Sequence, residues 1–132
     1  MSTPDGIVDI PHADDASVDA QLPQITDAYM KQRLSETQTY TLCLVRRTER
    51  FKRPDADPII WEHGRRNMAL LEAGLMPIVC PVLDESGWAG VGIFAAGPER
   101  TREILEQDPG VTAGIFSFEV HPIAAFPGSA LP

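Results

Sequence analysis

The sequence predicts an α+β domain: a ferredoxin-like βαββαβ order with a four-stranded antiparallel sheet and both helices on one face. Three observations predict it. From Tyr40 onward, apolar periods of two and of 3.6 follow each other in the order strand, helix, strand, strand, helix, strand. Asp84, Glu85, Ser86 and Gly87 form a turn between two apolar runs, which marks a hairpin in the middle of that order. The 132 residues, 43% of them hydrophobic, suit a single core and leave no room for a second domain.

The elements follow in chain order. Residues 1–22 read as an acidic, flexible arm: Asp5, Asp9, Asp14, Asp15 and Asp19 occur with no Lys or Arg, and Pro4 and Pro11 interrupt regular structure. Residues 23–37 read as a short helical extension. Pro23 suits a first helical turn, and Ile25, Ala28, Tyr29 and Gln32 share a face through about Glu36. The remaining residues, 38–132, form the main domain. Its first strand is Tyr40–Arg46, apolar on both faces, so both faces need cover. Its first helix is expected over 57–73, with Pro58 at N1 after Asp57 and Gly74 past the end. Ile60, Gly64, Met68, Leu71 and Leu75 share its apolar arc; Glu62, Arg65, Arg66, Ala69 and Glu72 fall on the wet side. The hairpin strands are expected over 75–83 and 88–96. Gly90 and Gly92 within the second suggest close approach by a backbone, a ligand or a helix. The second helix is expected over 98–108, starting with Pro and Glu, with Thr101, Ile104, Leu105 and Asp108 on its inner stripe. The last strand is expected over 114–121, with Phe116, Phe118 and Val120 on one face.

Two helices cover one face of such a sheet. The other face keeps apolar residues, which a second subunit stacked sheet to sheet would cover, so a homodimer is expected. A net charge of −8 argues against nucleic acid as a partner. No apolar run is long enough to span a membrane and no secretory leader pattern is present, so the expected location is cytoplasmic. Arg46, Arg47, Arg50, Lys52 and Arg53 form a basic cluster in this acidic chain. It reads either as a solvated loop or as a mouth that attracts a small anionic substrate. Cys43 and Cys80 lie in apolar runs and are expected as buried free thiols.

Few residues offer chemistry. His63 sits at the edge of the first helix's apolar arc, and Asn67 lies one turn later on the same side. A histidine bonded to backbone is one reading; a proton carrier is the other. Asp108 ends the second helix just before Pro109, where the negative end of the dipole disfavours a carboxylate by roughly 0.3–1 kcal/mol. It reads as a helix terminator, or as the partner of an imidazolium, whose tautomer it would fix. Spacing does not bring the two together. Trp61, Trp88 and Tyr40 read as core aromatics or pocket walls. Glu119 and His121 share a face at a strand end, and the hairpin turn accounts for Asp84 and Glu85. No GxSxG elbow, P-loop, dinucleotide fingerprint or HExxH is present, and histidines at 12, 63 and 121 do not propose a metal site. Neither a metal nor a cofactor is expected.

The succession TLCLVR, WEHGRRNMALLEAGL, PVLDESGWAGVGIF, EQDPG and VHP, from Tyr40 to about Gly128, resembles the YCII-related domain of the dimeric α/β-barrel superfamily. The resemblance implies a ferredoxin-like fold whose dimer packs two sheets into a barrel. It implies a pocket between the sheet and the helix bearing His63, with the family's invariant histidine and aspartate mapping onto His63 and Asp108 as a dyad. One family activity is dehydrochlorination of a hydroxylated aromatic; related barrels include muconolactone isomerases and cofactor-free oxygenases. The chain departs from the family pattern in Cys80, where Gly usually precedes the proline, and in Ile123, which replaces an aromatic.

The expected function is that of a cofactor-independent acid–base enzyme of the lyase or isomerase type. His63 would move a proton at a carbon next to a carbonyl or enol, and Asp108 would orient it. Arg46, Arg47, Arg50 or Arg53 would hold the anionic group of a small aromatic or keto substrate, with Asn67, Trp61 and Trp88 around it. Two alternatives stand: a non-catalytic module that binds a small molecule or a partner, and a cofactor-free oxygenase with Trp61 or Asn67 near an electron-rich aromatic.

Overall fold

The computed structural model describes residues 17–132. The expected acidic arm lies outside them up to residue 16. Its last residues carry a one-turn helix, α1 (Val18–Gln21), and α2 (Asp27–Ser35) follows. The Thr26 hydroxyl accepts from the Tyr29 amide and caps α2 there, so the helix begins four residues after Pro23. The described residues cluster into two units. One takes the residues up to Gln38 together with Phe126–Pro132; within it the Arg33 guanidinium lies over the Phe126 ring and pairs with Glu36. The other, Thr39–Ala125, carries the sheet.

In that unit β1 (Gln38–Arg47) leads through two 3₁₀ turns, Glu49–Lys52 and Pro54–Ala56, into α3 (Asp57–Glu72). Then come β2 (Ile78–Pro81), β3 (Trp88–Phe94), α4 (Pro98–Glu106), α5 (Pro109–Thr112) and β4 (Phe116–Ala125). The fold is α+β, with a four-stranded antiparallel sheet in the order β2-β3-β1-β4. That order is the one a split βαβ arrangement gives.

Register decides which side chains face the helices. Cys43 pairs with Gly92 and Thr41 with Phe94, and all four are buried. The alternate set, Leu42 opposite Ile93 and Leu44 opposite Val91, lies on the other face and stays partly exposed. The core is Phe94, Cys43, Met76, Ile104, Leu105, Ile115 and Phe116, between the sheet and α3, α4 and α5.

Three boundaries and one buried face differ from the expected ones. β2 is four residues long because Leu75 and Met76 donate their amides back to the Leu70 carbonyl and belong to the exit from α3. α4 stops at Glu106, which leaves Asp108 outside it. β4 runs on to Ala125 through Pro122; it is an edge strand, where a missing N–H breaks no ladder. The buried face of α3 is also turned from the expected arc. Leu70 is its one buried residue, Met68 is 49% exposed, and Arg66 is half-buried rather than on the wet side.

Candidate functional site

The helix α3 brings His63 and Asn67 inward one turn apart. The short connection after α4 brings Asp108 to meet them. Asp108 is the N-cap of α5: its extended backbone (φ −67, ψ 134) turns the chain, Pro109 fills N1, and its carboxylate accepts from the amides of Gly110 and Val111. The carboxylate therefore faces a helix start. The dipole penalty expected for a helix C-terminus does not arise, because the residue belongs to the next helix.

Asp108 is 2% exposed. Its Oδ2 takes three donors: His63 Nδ1–H at 2.8 Å, Gly110 N–H at 2.9 Å and Val111 N–H at 3.2 Å. An ionised carboxylate only accepts, so His63 Nδ1 carries the proton and a neutral His63 keeps its lone pair on Nε2. Asn67 Nδ2 donates to that nitrogen at 3.2 Å. The Phe116 ring packs on the imidazole, 4.4 Å between centroids. The other carboxylate oxygen, Oδ1, is buried with no hydrogen-bond partner. Facing it at 3.9 Å is Arg66 Nη1, also buried and also without a partner.

His63 and Asn67 line a cavity of about 290 Å³ between α3 and the sheet. Its floor is Gly90 and Gly92 with Cys43 and Val45; Phe51 and Phe116 form an aromatic wall. The two glycines answer the close approach their positions suggested. A Cβ on Gly92 would stand 2.7 Å from Met76 Sδ and 3.1 Å from Cys43 Sγ, and one on Gly90 3.3 Å from the Cys80 carbonyl oxygen. Such a space, apolar with a few converging polar groups, is what a small ligand needs.

The structure separates the four candidate arginines. Arg47 lines the cavity; it donates to the carbonyls of Val82 and Asp84 at 3.0 and 3.1 Å and lies 5.2 Å from the Phe51 ring. Arg46, beyond the bulge between Val45 and Arg46, stacks on Trp88 at 3.7 Å, and neither lines the cavity. Arg50 donates to the Ala113 carbonyl at 3.0 Å and Arg53 is exposed. Trp61 is 69% exposed on the outer side of α3. Glu119 and His121 pair with each other at the surface, 3.2 Å apart.

The two thiols differ. Cys80 is exposed, against expectation, because its pairing with Val91 sets its side chain on the open sheet face. Cys43 is buried, and burial pushes its thiol from its ordinary 9.0 up to about 11. In the hairpin turn, hydrogen bonds from the Ser86 hydroxyl and amide hold the Asp84 carboxyl below its usual range, a role that needs no substrate. Among the described residues no group of three or more His, Cys, Asp or Glu gathers as metal ligands, and no helix is long and apolar enough to cross a membrane. No protein-family model matches the sequence, and no curated protein matches it either.

Sequence reasoning singled out His63, Asn67, Asp108 and Arg47, and these the fold gathers. It missed Arg66 and Phe116 as neighbours of the dyad. The signal for Phe116 was its place at the start of the inward-facing series of β4. For Arg66 there was no signal, because a charged residue on a helix reads as solvated unless its partner is known.

Proposed function

We propose that the protein is a cofactor-independent acid–base enzyme, a lyase or isomerase acting on a small anionic or hydroxylated substrate. The observation that carries this reading is the 2.8 Å bond between His63 Nδ1 and Asp108 Oδ2 in the wall of the cavity. It leaves Nε2 as the basic nitrogen. A substrate C–H next to a carbonyl or enol would give its proton to Nε2 once Asn67 swings aside. Asp108 would stabilise the resulting imidazolium, and the same nitrogen would return the proton elsewhere on the substrate or after a leaving group departs. Arg47, the arginine at the cavity, would supply the charge that holds a carboxylate or phenolate. The resemblance to YCII-related domains supports the same pair of residues and a dimer closed through the open sheet faces.

The test is turnover or solvent-deuterium exchange at substrate carbon, across a panel of small hydroxylated aromatic and keto acids. His63→Ala should lower the rate about 10²–10⁴-fold. Undiminished exchange by that variant would falsify the assignment. A second reading has its own observation. A neutral His63 has both ring nitrogens bonded, to Asp108 and to Asn67, which is also how a structural histidine in a ligand-binding module is satisfied. Such a module would bind members of the panel without exchange. A cofactor-free oxygenase would consume oxygen with quinols, with Asn67 rather than Trp61 at the substrate.

A further inference from the structure

We propose that Arg66 is a positioning residue that shares the charge of Asp108 and so keeps His63 neutral and able to take a proton. This rests on the dyad reading above and adds a third member to it.

Asp108 Oδ1 and Arg66 Nη1 face each other at 3.9 Å, and each is buried without a hydrogen-bond partner. The two facing atoms carry opposite charge and are shielded from water, although the Arg66 side chain as a whole is 26% exposed, and they lie in each other's field. The distance is outside hydrogen-bond reach but well inside the range where charges interact strongly in a low dielectric. His63 meets the same carboxylate through Oδ2. The carboxylate thus stands between two cations, one permanent and one conditional. A guanidinium never loses its charge; an imidazole does. Every increment of the carboxylate's field that Arg66 balances is withdrawn from the stabilisation of a protonated His63.

The surroundings leave this contest to few groups. From α3, Asn67 bonds the imidazole and Arg66 faces its carboxylate partner, while Glu62 is exposed and tied to Arg65. From the α4–α5 connection comes Asp108. From β1, Arg47 and Cys43 share the cavity. β4 offers the Phe116 ring, and its polar residues Ser117 and Glu119 are exposed. α5 has no ionisable side chain. Arg66 is the cation closest to the free carboxylate oxygen.

Arg66 also sits three residues from His63 on the same helix, with Asp108 across from both. One helix face therefore presents the base and its competitor to a single acceptor. A base that stayed protonated at neutral pH would be useless for abstracting a proton, and a carboxylate alone pulls it that way. A fixed cation at the far oxygen corrects this without removing the hydrogen bond that fixes the tautomer.

The experiment is the titration of the His63 ring by NMR in the full chain, in wild type and in Arg66→Met, Arg66→Gln and Arg66→Lys. The resonance is assigned by its loss in His63→Ala. Loss of the charge should raise the His63 midpoint by on the order of one pH unit in Arg66→Met. Arg66→Gln, which keeps a donor but not the charge, should show the same rise, and it carries the test if the methionine variant does not fold. Arg66→Lys should stay near wild type. A midpoint that is unmoved or lowered in the uncharged variants overturns the proposal, as does full rescue by glutamine. Once a substrate is found, the acid limb of kcat/KM should move up with the same midpoint. The two readings fail separately: exchange that survives His63→Ala removes the enzyme assignment but not a shifted titration, and an unshifted titration removes Arg66 but not the dyad.

Discussion

Asp108→Ala removes at one stroke the acceptor for His63 Nδ1–H and for two backbone amides. A lost helix cap costs about 1 kcal/mol, and a buried donor left unpaired about 1–3 kcal/mol more. Denaturant unfolding should show a loss of about 2–4 kcal/mol. Asp108→Ser, whose hydroxyl still caps α5, should recover part of it while leaving the imidazole without its carboxylate. Stability and the proposed activity can thus be read apart at one position. The thiols offer a second test. At pH 8 alkylation should modify Cys80 and spare Cys43, which is both buried and held up to about 11. The linkage follows in sign. The unfolded Cys43 thiol loses its proton first, so the native state binds more protons between about pH 9 and 11, and stability falls over that window. Cys43→Ala should flatten that part of the stability–pH curve. At this scale the sequence revealed the residues that break a local rule. His63 and Asn67 on an apolar arc and Asp108 before a proline were conspicuous. Arg66 was not, since its polar neighbours Glu62 and Arg65 are solvated and nothing in α3 itself says that one arginine differs.

The elements show why a legible residue can be assigned to the wrong place. Asp57-Pro58 and Asp108-Pro109 carry the same start signal, a cap followed by proline at N1. At the first, the preceding 3₁₀ turn makes Ala56 the cap, with no side-chain bond. At the second, the signal is obeyed, and Asp108 opens α5. The apolar stripe of α4 ran on through Asp108 and hid a four-residue helix behind it. Gly110 is the position on which this small helix depends. A Cβ there would lie 2.5 Å from Phe116 Cδ2 and 3.0 Å from Asp108 Oδ2. Gly110→Ala should therefore cost about 1–3 kcal/mol. It should also shift the His63 ring resonances, because the displaced Phe116 ring lies tilted against the imidazole, 4.4 Å between centroids. An unchanged His63 spectrum would mean that the ring keeps its place against the imidazole and that the strain is relieved elsewhere. The helix wheel of α3 failed for a related reason. Periodicity finds an apolar arc, but the buried side is chosen by what the helix packs against, here α5, the Pro54–Ala56 turn and β2.

For the whole molecule, strand and helix order was legible because each change of hydrophobic period coincides with a proline, a glycine or a turn. The pairing of β2 with β3 followed from the short hairpin. The cavity was expected only through the resemblance, not from the residues themselves: it arises where Gly90 and Gly92 leave side chains out opposite α3, and periodicity does not say whether such space is filled. The partly exposed set Leu42, Leu44, Val91 and Ile93 leads to the remaining prediction. If two copies close through these faces, light scattering should give twice the 14.4 kDa chain mass, and Leu44→Glu should halve it. A wild-type mass of one chain would exclude the pairing. Gly90 has one consequence of its own. At Gly92 a methyl would collide with the Met76 thioether, whereas at Gly90 it meets only a backbone oxygen at 3.3 Å. Gly90 is thus the point at which this chamber could be narrowed, by evolution or by an engineer, with His63, Asn67 and Asp108 left in place.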